Sequence, residues 1–477
     1  MEPKEVFDIF SQICLVPRPS KHEERISQWL VDFAAEHSIE CQRDAAMNVI
    51  MRVPATPGYE NHPGLILQAH MDMVCEKNAD CAHDFMHDPI RTLVDGDWLK
   101  AEGTTLGADD GIGMSMALAA LTSKTLKHPA LEALFTVDEE TGLTGADRLE
   151  DGMLHGHRLI NLDNEDDGCV CIGCAGGIDT VGKMHYTPQT PDAMTSLFAA
   201  HIRVSGLVGG HSGDDINKGR ANANKIIVRF LYPLLEKGLR LASIHGGNLR
   251  NAIARECEAV ILVPFEYKEQ LRVDWNVFAA AIEAEYEGVE NEMHFELESC
   301  DLPHALIPAE QASRLIRALY ACPHGVDSMC RDIEGLVETS TNLASIRMKE
   351  GFVEICTSQR SSVESRKEDI QHRVAAALSL ACDEVSAGEG YPGWAPNVKS
   401  DVLDAIVASH ERLFTSKPQV MAIHAGLECG LFLIKYPDLD MVSVGPQMYG
   451  VHSPQERLSI SSTAKTWRWV CDTIEHL

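Results

Sequence analysis

Five places where an apolar, strand-like run gives way to a turn carry a residue able to hold a metal ion. GLILQAH (64–70) ends on His70, with Asp72 two residues further on. TTLGADDGIGM sets Asp109 and Asp110 in a glycine-bracketed turn before a small-residue helix, GIGMSMALAALTSK (111–124). EALFTV (132–137) runs into Asp138, Glu139 and Glu140, and RLINLD (158–163) ends on Asp163. DMVSVGPQMYGVHSP places His452 just after a fifth strand. Strands alternating with helices predict a doubly wound, largely parallel sheet, and such sheets bind ligands beyond the carboxyl ends of their strands.

Each signal alone has an ordinary explanation. A lone histidine after a strand packs or caps, and paired aspartates before a helix serve as an N-cap. Glutamates in a turn are solvated. Three adjacent acids after an apolar run nevertheless repel one another unless something cationic sits among them. Five such coincidences at topologically equivalent positions point to a metal centre. Imidazole and carboxylate without thiolate suit Zn²⁺, Co²⁺ or Mn²⁺. A two-ion centre needs a bridging carboxylate and an ion separation of roughly 3.5–4 Å. The glycine-flanked Asp109 is the natural bridge. Asp72 lies on the same side of an extended backbone as His70 and can orient its imidazole.

At 477 residues the chain is too long for one core, so two domains or more are expected. Acids outnumber bases 71 to 41, giving a formal charge of −30, a field that would repel phosphate backbones and anionic membranes. The start, MEPKEVFDIF, lacks the pattern of a secretory signal, and no apolar run is long enough to span a bilayer. Fifteen cysteines without a regular framework suggest thiols in a reducing cytoplasm. Cys169, Cys171 and Cys174 lack the second CxxC of a zinc ribbon and read as packing residues. HDFMHD (83–88) lacks the glutamate of HExxH and is followed at once by Pro89, so it reads as a loop.

The middle of the chain changes style. LFAAHIRVSGL (197–207), EAVILVPF (258–265), NEMHFELES (291–299) and GFVEICTSQ (351–359) read as half-buried antiparallel strands interleaved with helices. The expected organisation is a discontinuous first α/β domain, 1–186 and 382–477, with a doubly wound mixed sheet. An α+β insertion would fill 187–381, long enough for two β-α-β-β-α-β halves.

HMD (70–72), GADDGIGM (107–114), DEETG (138–142), NLDNEDDG (161–168), GGHSG (209–213), HAGLECG (424–430) and GVHSP (450–454) occur in that order. Together they resemble the M20 family of two-zinc metallopeptidases, most closely its aminoacyl-histidine dipeptidase branch. LRNAIARE (249–256) and CTSQRSS (356–362) resemble that branch's lid segments. The resemblance implies one metal held by His70, Asp109 and Asp163, and a second by Asp109, Glu140 and His452. It makes Glu139 the general base, Asp72 the orienting residue, and His211, Asn251 and Arg360 substrate contacts from the lid. It also implies a cis peptide after Asp109. Asp110 departs from the branch's frequent Asn. Asp138 is left as the bland acid of the three, solvated or capping.

The implied activity is hydrolysis of unblocked dipeptides, Xaa-His included, with a small peptide as partner and cytoplasmic location. His211 is the candidate donor to the oxyanion, and Arg360 the candidate partner of a substrate's C-terminal carboxylate. In short-lid relatives the lid histidine comes from a neighbouring subunit. A double-length lid could supply it within one chain, which leaves a homodimer open. Two other readings share the motifs: an N-acyl amino acid amidohydrolase on the same metal core, and a catalytically silent binding protein.

Overall fold

The computed structural model describes every residue except 192–195, 332 and 425, so Ala425 of HAGLECG lies outside the described residues. In chain order the first strands are β1 (Glu40–Arg43), β2 (Val49–Val53), β3 (Leu65–His70), β4 (Thr92–Asp95), β5 (Trp98–Ala101), β6 (Leu131–Thr136), β7 (Arg158–Asn161) and β8 (Cys169–Cys174). The central segment supplies β9 (Gly176–His185), β10 (Leu197–Ser205), β11 (Arg240–Gly246), β12 (Cys257–Pro264), β13 (His294–Ser299), β14 (Gly325–Met329), β15 (Val337–Lys349), β16 (Phe352–Ser361) and β17 (Glu384–Ala387). The last strands are β18 (Gln419–Ile423), β19 (Asp440–Ser443), β20 (Met448–Tyr449) and β21 (Arg457–Ser459).

The chain forms two units. One comprises Met1–Cys174, Trp394–Ala422 and Leu427–Leu477; the other comprises Ala175–Gly393 and Ile423–Gly426.

The first unit is built on an eight-stranded mixed sheet of order β1-β2-β6-β3-β7-β19-β8-β18. Its centre is parallel, β3 pairing with β6 and β7, and β7 with β19. β1, β2 and β8 add antiparallel pairings. Strands buried on both faces are mostly apolar, and Leu65, Ile66, Leu67, Leu131, Ala133 and Leu134 are all fully buried. Burying such a leucine or isoleucine side chain contributes about 1.5–3 kcal/mol. Gly107, at φ +67, leads into the helix Ala108–Thr122, whose first-turn glycines leave no room for a side chain. A Cβ on Gly113 would lie 2.2 Å from Asp110 Oδ1.

A four-stranded antiparallel sheet, β20-β21-β5-β4, completes this unit. It corrects one expectation. His452 does not directly follow the strand of DMVSVGP, since β19 ends at Ser443. It sits instead at φ 60 in the turn joining β20 to β21, because a short hairpin is interposed after Gly445 and Pro446.

The second unit carries a sheet of order β13-β10-β12-β11-β15-β16-β9-β17, with β14 against β15. Its described pairings are antiparallel. β10, β11, β12 and β13, with helices Ala223–Leu234 and Lys268–Glu285, make one β-α-β-β-α-β unit of order β13-β10-β12-β11. β9, β15, β16 and β17, with helices Ala309–Ala321 and Glu364–Ser379, repeat that pattern in the order β15-β16-β9-β17. The first set is inserted after the opening strand of the second. The two meet where Gly246 of β11 pairs with Ile346 of β15. β9 and β17 fall in this unit because β16 pairs along β9 and β9 along β17. Side chains from all four helices and the sheet form its core, among them Ile227, Trp275, Leu315 and Val374.

Candidate metal centre

The parallel register of the first unit aligns its strand ends. His70, the last residue of β3, pairs with Thr136 of β6, and Gln68 with Asn161 of β7. This brings the loops bearing Glu139, Glu140 and Asp163 to one level. His70 Nε2 lies 3.0 Å from Asp109 Oδ1 and 3.5 Å from Asp163 Oδ1. His452 Nε2 lies 3.1 Å from Asp109 Oδ2 and 2.9 Å from Glu140 Oε2. The two oxygens of Asp109 therefore face two different imidazoles, each of which has a further carboxylate beside it. The Asp109–Asp110 peptide is cis.

The charge balance is uneven. Four carboxylates, those of Asp109, Glu139, Glu140 and Asp163, meet two imidazoles; His70 and Asp109 are buried, the other three acids half-buried and His452 exposed. For Asp109, burial pushes the pKa upward but is outweighed by His452 and His70, which hold it well below the usual carboxylate range. Hydrogen bonds to Asp109 and then Glu140 push His452 up to about 11. His70 rises too, since burial is outweighed by Asp163, Asp109 and Asp72. Glu139 is raised well above its ordinary value by burial and by the charges of Asp163, Glu428 and Glu140, against the pull of His70. Glu140 Oε1 is buried without a hydrogen-bond partner. Buried carboxylates in excess of cationic side chains, one oxygen left over, are a donor set that divalent cations would satisfy. His70, Asp109 and Glu140 have ligand atoms all within 4.8 Å of one another.

The surroundings fix these side chains. Asp72 Oδ1 is 3.4 Å from His70 Nδ1. The Asp72 carboxylate also accepts the backbone N–H of Glu139 at 3.0 Å and of Glu140 at 3.3 Å. Asp138 is buried rather than solvated: it accepts the hydroxyls of Thr141 and Thr144, and its own N–H donates to Glu23 at 3.0 Å. Glu23, Asp72 and Asp138 form a second acidic group, with oxygens already taken by backbone amides and hydroxyls.

Sequence reasoning missed two supports. Arg18, 2% exposed, donates to the carbonyls of Met71 (3.1 Å), Asp72 (2.7 Å) and Gly107, tying the β3 loop to the Asp109 loop. Beneath the strand ends, Ser443 donates to Asn161 (2.5 Å) and Asn161 to Gln68 (2.6 Å). Gln68 and Thr136 in turn donate to Glu428 at 2.7 and 2.8 Å. No motif marks Arg18 in VPRPS, whereas Gln68 is legible as a polar residue inside an apolar strand. HDFMHD forms turns, with Asp84 and His87 3.0 Å apart. Burial pushes the Cys174 thiol up to about 12, as suits packing.

In the second unit, the expected substrate residues gather around β15. His211 lies in the GGHSG turn, bridged to Ala252, with its Nδ1 3.2 Å from Asp214. Asn342 of β15 donates to the carbonyls of Ala252 (2.8 Å) and Arg250 (3.4 Å), on either side of Asn251. Arg360 of β16 stands opposite Ser340 and donates to the Tyr391 hydroxyl at 3.0 Å, while its buried Nε has no partner. His424 Nε2 is 2.7 Å from Ser340 Oγ, and burial with the nearby Arg360 lowers the imidazole to about 4. Asn342, Ser340 and Tyr391 were not anticipated, since no local motif marks them; His424 opens the HAGLECG motif but was given no role.

Residues 66–476 match Peptidase family M20/M25/M40. The chain belongs to this family. It is 40% identical over 478 residues to the cytosol non-specific dipeptidase of Escherichia coli (strain K12), covering 100% of this chain and 98% of that protein. The crystal structure of aminoacylhistidine dipeptidase from Vibrio alginolyticus superposes with a TM-score of 0.95 at 41% identity, covering 100% of this chain and 97% of that one. Aminopeptidase PepT from Bacillus cereus shares the fold at 15% identity and a TM-score of 0.58, covering 99% and 98%. No helix among the described residues is long and apolar enough to cross a membrane.

Proposed function

We propose that this M20 protein is a metal-dependent dipeptidase that hydrolyses unblocked dipeptides of broad sequence, Xaa-His among them. The observation that carries the reading is the Asp109 carboxylate, whose oxygens lie 3.0 and 3.1 Å from the two imidazoles. His70, Asp109 and Asp163 would hold one divalent ion, and Asp109, Glu140 and His452 the other. Zinc fits this donor set best, with cobalt and manganese as substitutes. When bound, the ions supply a water of near-neutral pKa and a polarised scissile carbonyl.

The remaining work belongs to the chain. Asp72 holds the His70 ring and, through the Glu139 amide, the peptide that carries the base. Glu139 takes the proton of the attacking water and returns it to the leaving amine, a shuttle that a raised carboxyl pKa favours. His211 donates to the oxyanion, Asn251 contacts the substrate, and Arg360 binds its C-terminal carboxylate in a charge-assisted pair. The inserted unit, expected at 187–381, serves as a lid with both halves in one chain. The partner is a small peptide, the formal net charge of −30 disfavours nucleic acid, and the compartment is the cytoplasm.

Steady-state hydrolysis of Ala-His, Gly-Leu and β-Ala-His beside N-acetyl-histidine and N-acetyl-leucine tests the substrate class. Turnover of the unblocked set alone is expected. Turnover of the acetylated set alone would make the protein a deacylase, and silence on both after metal reloading would remove the enzymatic reading.

A further inference from the structure

Glu456 is buried, 3% exposed, and lies four residues after His452. Its carboxylate accepts four successive backbone N–H groups, those of residues 106–109. Oε2 takes Leu106 (2.7 Å) and Gly107 (3.0 Å); Oε1 takes Ala108 (2.8 Å) and Asp109 itself (3.4 Å). These donors precede or open the helix Ala108–Thr122, where backbone N–H groups have no carbonyl of their own helix to bond. Leu106 and Ala108 are fully buried, so no solvent replaces the carboxylate. Arg18 grips the same loop by the Gly107 carbonyl. Buried amides are thus met by both oxygens of one carboxyl group, and the loop's carbonyl by the Arg18 guanidinium.

A simple helix cap would satisfy one or two first-turn amides from a neighbouring position. Glu456 reaches across 347 residues of sequence to the amide of Asp109. It does so from the turn that carries His452, which Glu456 tightens by donating its own N–H to Ser453 at 3.0 Å. The segment 452–456 therefore ends in His452 at one end and in the Asp109 loop at the other. Moving either end moves the imidazole relative to the carboxylate it faces.

We infer that Glu456 is a positioning residue that sets the spacing between Asp109 and His452, and so determines occupancy at the Asp109–Glu140–His452 position. The inference rests on the two-ion reading above. Glu456→Gln keeps the shape but turns an NH₂ toward amide donors. Glu456→Asp keeps the charge but shortens the reach.

The test is equilibrium dialysis of the full-length protein against Zn²⁺ or Co²⁺ with elemental analysis. It is joined by the visible d–d spectrum of the cobalt form and by circular-dichroism melting after chelation. Wild-type protein is expected to bind two ions. Glu456→Gln is expected to fold but to melt below wild type after chelation, because buried amides lose acceptors, and to bind the second ion about ten- to a hundred-fold more weakly, with an altered cobalt spectrum. Glu456→Asp should fall between. Two ions bound by Glu456→Gln with wild-type affinity and spectrum would overturn the assignment. Should Glu456→Gln fail to fold, Glu456→Asp decides by the same readings. Failure of both to fold would make Glu456 a fold-building residue only, and overturn it too. Fewer than two ions on the wild-type protein would instead refute the two-ion reading itself.

Discussion

Asp72 and Glu139 are joined by a 3.0 Å hydrogen bond, from the Glu139 N–H to Asp72 Oδ1, and that same oxygen lies 3.4 Å from His70 Nδ1. One carboxylate thus orients a candidate metal-holding imidazole and anchors the peptide of the candidate base. Replacing Asp72 with Ala should loosen both. The expected result is metal affinity lower by about 10–100-fold, with kcat reduced even at saturating metal. Competition with a chromogenic chelator, run beside kinetics, separates the two effects. Unchanged affinity would count against the orienting role.

Glu139→Gln isolates the proton transfer. The substitution keeps the shape of a residue whose carboxyl pKa is held high by burial and neighbouring acids. Metal content should be retained while kcat falls by about 10²–10⁴. Loss of metal in parallel with activity would instead make Glu139 a ligand.

Arg360 carries an unpartnered buried Nε and a hydrogen bond to Tyr391. Arg360→Ala should raise KM for dipeptides by roughly 10–100-fold, the loss of one hydrogen bond to a charged group. Dipeptide amides, which lack the carboxylate, should be indifferent to the substitution. An equal penalty on acids and amides would remove Arg360 from carboxylate recognition.

Glu428 makes a pH prediction for the chelator-treated protein. It is 1% exposed and accepts from Gln68 and Thr136 on one oxygen, with the other unpartnered. Burial pushes its pKa from 4.5 up to about 7. The folded state therefore holds this proton more tightly than the unfolded state. Its stabilising contribution is complete below about pH 4.5 and is lost as pH rises through about 7. Gln cannot titrate, so the melting temperature of Glu428→Gln relative to wild type should climb between pH 4.5 and 8. A flat difference would contradict the assignment.

The sequence was most informative where chemistry and topology coincide. His70, Asp163 and Glu140 were legible because a parallel sheet exposes the carboxyl ends of its strands, and the runs before them are apolar enough to mark those ends. The strand that leads to His452 was misjudged, since a two-residue strand such as Met448–Tyr449 leaves no periodicity to read. Glu456 and Arg18 were invisible for another reason: their partners are backbone groups distant in sequence, and any residue type can offer those. The nesting of one β-α-β-β-α-β set inside another was hidden because β9 and β15, members of the same set, are separated by the whole of the other set.

The most direct test of the whole account is to follow hydrolysis of an unblocked dipeptide while metal is titrated into chelator-stripped protein. The account predicts no turnover in the stripped protein and activity that rises to a plateau at two equivalents of zinc. Full activity without metal, or a plateau at one equivalent with the second ion unbound, would contradict it.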